Sequence, residues 1–321
     1  MKPYPLKFQA EFKERVWGGR ALEQFGFELP DGHIGEAWVI GDHAHGTTKV
    51  VNGDLAGKGL DEVREAFGSE WFGPKGSQTK NGKFPLLIKL LDCQDDLSVQ
   101  VHPDDHYEKL AEGELGKTEM WYILDAKPGA KIIYGLKEHV DRAAFAQAIE
   151  EGRIMDCLQE VEAKTGDTFY IPAGTVHALK AGVLVAEIQQ NSDTTYRVYD
   201  YDRPGLDGKP RELHIEDSLH VTKYGDSGAS RKTTDIDAPH HWLNLAESPY
   251  FITDKAIVDG RWEQSTTQDS FVILIVCEGE GQIHGGGESL PLKRGEALLL
   301  PANLGAYVLE GKMTVLRSYL P

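Results

Sequence analysis

Short apolar or alternating runs dominate this chain: EAWVI, FPLLIKLL, LSVQVH, EMWYIL, AKIIYGL, DTFYIPAG, VLVAEIQQ and SFVILIV, punctuated by Gly, Pro, Asn and Asp. Runs this short, at such close spacing, are strands rather than helices, and they imply a sandwich or barrel. The 321 residues suffice for two domains or for one large all-β unit with insertions. Three stretches carry helical spacing instead. Residues 59–73 place Leu60, Val63, Ala66 and Phe67 on one face. Residues 102–113 follow an Asp-rich cap, and 137–154 space Val140, Ala144, Phe145 and Ile149 helically before stopping near Gly152. The polar, Gly/Ser-rich segment 225–241 reads as a linker. The expected division is therefore 1–235 and 236–321.

Beyond the linker the pattern repeats. GDTFYIPAGTVHAL (166–179) aligns with GEALLLPANLGAYVL (295–309), matching Gly166 to Gly295, Pro172 to Pro301 and Ala173 to Ala302. MWYILDAKPGAKI (120–132) similarly matches FVILIVCEGEGQI (271–283). Two matches in the same order indicate a duplicated β-domain. The second copy carries Ala306 in place of His177 and Ser270 in place of Glu119, so it is expected to bind no metal.

Polar residues interrupt the strands of the first copy. In LSVQVHPDD, Leu97, Val99 and Val101 face one way, and Ser98, Gln100 and His102 the other. Glu119 shares a face with Lys117 and Trp121, and His177 ends its own run. Two imidazoles, a carboxylate and an amide oxygen without thiolate suit Zn²⁺ or a similar divalent ion. Lys89 interrupts FPLLIKLLD, where an unpaired ammonium would be costly, so it should face a polar cavity rather than serve as an edge-strand lysine. Arg197 and Tyr199 share a face, as do Glu187 and Gln189. Arg197 is either a clamp for anionic oxygens or a structural partner of Asp193 or Asp200. Arg203 and Arg211 lie in a hydrophilic loop and read as solvated.

The spacing from Gly166 through Pro172 and Gly174 to His177 matches the second signature of the cupin superfamily. The first signature departs from it, with Gln100 at the usual first His and the segment 103–118 between His102 and Glu119. Together with VWGG, IGEAW, FPLLIKLLD, LSVQVHPDD, GKTEMWYIL, IPAGTVHAL, EIQQNSDTTYRVYDYDR and RELHI, this pattern closely resembles type I phosphomannose isomerase of the short bacterial kind, in order from about Val16 to Ile215. The resemblance implies a cupin jelly-roll catalytic domain with helical insertions and a smaller degenerate C-terminal cupin. It implies one Zn²⁺ per chain on Gln100, His102, Glu119 and His177. It places Arg197 at a catalytic or substrate-binding position and Lys89 and Lys117 in the pocket. Ser98 joins Lys89 and Arg197 as a substrate-binding candidate.

The expected reaction is interconversion of mannose 6-phosphate and fructose 6-phosphate through an enediol. Glu187 and Lys117 are both candidate bases, and Glu119 is disfavoured as a base because it is an expected metal ligand. Lys89, Lys117, Arg197 and the loop arginines are available for the phosphate. The other readings are an isomerase of an unphosphorylated sugar, a cupin that binds sugar without turnover, and an oxygenase with two His and a carboxylate around iron. A net charge of −17 argues against nucleic acid or anionic membranes as partners. The three cysteines form no pair in sequence, and the N-terminal residues do not read as a secretion signal, so a reducing cytoplasm is expected.

Overall fold

The computed structural model describes residues 1–234, 236 and 238–321. Among these residues the strands form three large sheets and a two-stranded ribbon. The seven-stranded sheet runs in the order Ser230–Thr233, Asp167–Ile171, Glu119–Ala126, Val183–Gln190, Leu86–Cys93, Ile34–Ile40, Glu11–Gly19. A five-stranded sheet covers one of its faces, in the order Leu158–Glu162, Lys131–Leu136, His177–Leu179, Val99–Val101, Tyr196–Tyr199. The third sheet contains the long strands Ile252–Ser265, Val272–Gly285 and Ala306–Tyr319, and the N-terminal strand Leu6–Gln9 joins it by pairing with Ala297–Leu300.

The central sheet is buried on both faces, which explains why its strands read as nearly continuous apolar runs. Along Val183–Gln190, Leu184, Ala186 and Ile188 pack toward the C-terminal sheet with Ile273, Ile275 and Leu299. Val183 and Val185 face the other way, packing with Trp121, Ile123, Ile132 and Leu179 between the seven- and five-stranded sheets. Lys89 and Glu187 of these strands share that inner face. Behind the five-stranded sheet, Val99, Val101, Ala178 and Val198 pack against Phe145 and Leu219 of two short helices, Arg142–Glu150 and Ile215–Val221. Leu97 departs from the expected alternation. The strand begins only at Val99, and Leu97 packs in the inner cluster, its N–H bonded to Leu179 O.

Two of the three expected helices form. Leu60–Ser77 is helical but broken at Gly68 and Gly73. Gly73 has φ +74°, and a side chain there would strike the Asp269 carbonyl at 2.2 Å, so a bend and a close approach to the C-terminal half both require glycine. Arg142–Glu150 is capped by the Asp141 carboxylate, which accepts from Ala144 N. Residues 102–113 form no helix. Successive backbone turns close instead from Tyr107 N to Asp104 O, Leu110 N to Tyr107 O and Glu114 N to Ala111 O. Here the Asp104 carboxylate bonds His106 N, competing with a helical ladder. The linker reading of 225–241 also needs correction. Ser230–Thr233 is an edge strand, and its Arg231 and Thr233 side chains donate to the buried Asp167 carboxylate. Positions 235 and 237 of that segment lie outside the described residues.

Gly166 and its C-terminal counterpart Gly295 both have positive φ, at the same point before matching strands. Ala306 is exposed and Ser270 is engaged with Phe271 O and Leu320 N. No helix among the described residues is long and apolar enough to cross a membrane.

The halves are joined by aromatic packing. Phe271 is fully buried, with ring centroids 4.7 Å from Phe84 and 6.3 Å from Phe72. Phe271→Ala is expected to lower the unfolding free energy by about 3–5 kcal/mol. Urea denaturation measures this, and an unchanged midpoint would mean that this contact does not couple the halves.

Candidate active site

The site lies between the seven- and five-stranded sheets. His177 and Arg197 each pair with Gln100 across neighbouring strands, placing all three in one row of the five-stranded sheet. Pro103 ends the strand just after His102. The Pro172–Gly174 turn docks there, with Gly174 N bonded to His102 O at 2.8 Å. Gly174 has φ +89°, and a side chain would meet Val221 O at 2.9 Å. Glu119 enters from the facing sheet, in register with Gln189 and Ile171.

These elements bring the predicted donors together. His177 Nε2 lies 3.3 Å from Glu119 Oε1, and His102 Nε2 lies 3.6 Å from Glu119 Oε2. The Gln100 amide end is 3.4 Å from His177 Nε2 and can present its oxygen by a flip of the terminal amide. His102 Nδ1 lies 2.9 Å from Thr194 O, and His177 Nδ1 lies 2.8 Å from Thr175 O. A carbonyl only accepts, so each Nδ1 carries the proton and each Nε2 lone pair faces the cluster. His102 Nε2 and both Glu119 oxygens are buried without a hydrogen-bond partner. This is the donor set and the lack of satisfaction that a divalent cation would complete.

The electrostatics agree. Burial, reinforced by Lys117 and by His177, holds His102 well below the usual imidazole value, and burial brings His177 down to about 4. Burial and then the Glu187 carboxylate push Glu119 up to about 7. A bound cation would reverse that direction for the carboxylate.

A cavity of about 560 Å³ opens beside these donors. Lys89, Ser98, Gln100, Lys117, Glu187 and Arg197 all line it. Lys89 Nζ sits 3.2 Å from Glu187 and 3.8 Å from Glu36, so the cavity reading holds over the edge-strand one. Burial pulls the Lys89 ammonium down, but Glu187, Glu36 and Asp193 outweigh it and hold the group above its ordinary value. Glu187 also accepts from Trp121 Nε1 at 2.9 Å. Lys117 Nζ lies 3.4 Å from Glu119.

Arg197 is not the ion-pair partner of a neighbouring aspartate. Asp200 is engaged by Arg203 and Arg211, and Asp193 by His45. Arg197 gives one bond to Glu212 O, while its buried Nε has no partner. Arg203 and Arg211 are not simply solvated either. Both are clamped on Asp200, and Arg211 lines the cavity.

Sequence reasoning assigned no role to Arg15 or Glu36 and named Asp193 only as a possible partner of Arg197; all three line the cavity. Glu36 bonds Arg15 Nε and Trp38 Nε1, both at 2.7 Å. A carboxylate inside the apolar run IGEAWVI was the same signal that singled out Lys89.

A cupin fold enclosing a buried His/Glu/His cluster beside a polar cavity defines a metal-dependent cupin enzyme. Residues 6–132 match the family described as phosphomannose isomerase type I, catalytic domain, and 242–320 match mannose-6-phosphate isomerase, cupin domain. The chain is 42% identical to the mannose-6-phosphate isomerase ManA of Bacillus subtilis, over all of both proteins. It is 38% identical to the mannose-6-phosphate isomerase of Streptococcus mutans, over 98% of each. The crystal structure of the Bacillus subtilis mannose 6-phosphate isomerase superposes with a TM-score of 0.84 at 38% identity, covering 98% of this chain and 99% of that one. The chain belongs to the type I phosphomannose isomerase family.

The charge row beside the donors is a stability element in its own right. Lys89→Met leaves two buried carboxylates with one cation fewer and is expected to cost about 3–5 kcal/mol. Chemical denaturation checks this, and an equal or higher midpoint would show that the row is neutral or unfavourable.

Proposed function

We infer that this chain interconverts mannose 6-phosphate and fructose 6-phosphate, and that its catalytic unit is residues 1–235, with 236–321 a cupin that holds no ion. The observation that carries the reading is the convergence of unsatisfied buried donors from both sheets at one side of a cavity that also presents Lys89, Lys117 and Arg197. Gln100, His102, Glu119 and His177 would hold a divalent ion, and nitrogen and oxygen donors without sulfur suit zinc. Such an ion supplies Lewis acidity toward the sugar oxygens at C1 and C2.

The chain's own groups do the rest. Moving a proton between C1 and C2 needs a positioned acid–base group. Glu187, held by Trp121 and Lys89, and Lys117, 3.4 Å from Glu119, are the two candidates. Arg197 lines the cavity, where its guanidinium would donate to an enediolate or phosphate oxygen. Lys89 and Ser98 complete the substrate-facing wall. In the C-terminal unit the interior is filled by Leu298, Leu300, Leu309 and Val315, which supports a structural role. Burial of all three free cysteines suits a reducing cytoplasm.

The purified protein is expected to hold one divalent ion per chain and to isomerise mannose 6-phosphate but not mannose. Chelation should abolish turnover and zinc should restore it. Full activity in metal-free protein, or turnover of mannose alone, would overturn the reading. Arg197→Lys is expected to lower kcat by about 10²–10³-fold with metal content and folding intact. A rise in KM with kcat unchanged would instead make Arg197 a binding group only.

A further inference from the structure

The segment 103–118, which separates His102 from Glu119, carries a carboxylate, Glu114, that lines neither the cavity nor the metal cluster. Glu114 Oε2 lies 3.4 Å from Asp193 N and 3.2 Å from Thr194 Oγ1. Ser192 Oγ is also 3.3 Å away, but its single proton is better placed on Leu115 O, at 2.8 Å. The other oxygen, Oε1, lies 3.1 Å from His43 Nε2. His43 Nδ1 accepts from His45 N at 3.1 Å, so the His43 proton sits on Nε2 and is donated to Glu114. His43 is itself buried, edge-on to Trp38.

The turn held in this way, Ser192–Asp193–Thr194, delivers two groups to the site. The Thr194 carbonyl takes the His102 Nδ1 proton, which directs Nε2 at the metal cluster. The Asp193 carboxylate lines the cavity. From this we infer that Glu114, itself braced by His43, is a positioning residue for the isomerase. It acts through one turn on both the orientation of His102 and the placement of Asp193. A partner that fixes the orientation of a ligating imidazole commonly accounts for about 10–100-fold in metal affinity.

This inference rests on the metal reading above, and the test separates the two. Zinc affinity is measured by competition with a chromophoric chelator for the wild type, Glu114→Ala, Glu114→Gln and Thr194→Val, alongside steady-state kinetics and thermal melting. Glu114→Ala is expected to bind zinc about 10–100-fold more weakly. Its kcat should fall even at saturating zinc, because Asp193 is also displaced, with KM little changed. Glu114→Gln keeps an oxygen for Thr194 and Asp193 and should recover most of both losses. Thr194→Val keeps the carbonyl but removes one anchor, and should show a smaller loss in the same direction.

Native zinc affinity and native kcat in a folded Glu114→Ala protein would overturn the inference while leaving the metal reading intact. If Glu114→Ala does not fold, native zinc affinity and native kcat in Thr194→Val would overturn it in the same way. A wild type that binds no zinc would instead defeat the metal reading itself.

Discussion

Three buried acceptors without hydrogen bonds set the conditions for the rest of this molecule. His102 Nε2 and the two Glu119 oxygens point into one small space between two sheets, with no hydrogen bond to any of them. Each unsatisfied buried group costs about 1–3 kcal/mol, and a charged one costs more. Their mutual approach adds repulsion between lone pairs. A divalent cation converts all of these penalties into attractions at once. The backbone ensures that it is Nε2 that is left bare, since the carbonyls of Thr194 and Thr175 occupy the Nδ1 positions.

The architecture follows from keeping that arrangement dry and rigid. The seven-stranded sheet is covered on both faces, and its buried Lys89 and Glu187 find their partners across the register. Trp38, Lys89, Glu187 and Trp121 sit opposite one another on four adjacent strands. Their side chains satisfy one another, as the Lys89–Glu187 pair and the Trp121–Glu187 hydrogen bond show. The C-terminal sheet contributes hydrophobic cover. It is clasped to the catalytic half by Phe271 and by the N-terminal strand, whose Leu6 pairs with Leu299.

Much of this was legible in the sequence because a polar residue in a buried strand must be explained. That rule singled out Gln100, His102, Glu119 and Lys89, and the structure sets them around one space. It applied equally to Glu36, which was quoted only as part of a motif. Asp193 and Glu114 were harder to find. They lie in turns, where acidic residues are ordinary, and their importance comes from contacts between segments far apart in the chain. The helix expected over 102–113 failed because Asp104 and Asp105 spend their carboxylates on local backbone and on Gly116 N. The edge strand at 230–233 was hidden by polar composition, since its side chains serve Asp167 and solvent rather than a core.

The most direct test of the account is where a metal sits when the protein is loaded with zinc. Anomalous diffraction at the zinc edge from crystals of the loaded protein should show one strong peak per chain, enclosed by Gln100, His102, Glu119 and His177, with both histidines approaching through Nε2. A peak within the C-terminal unit, or coordination through Nδ1, or no peak between the two catalytic sheets, would contradict it.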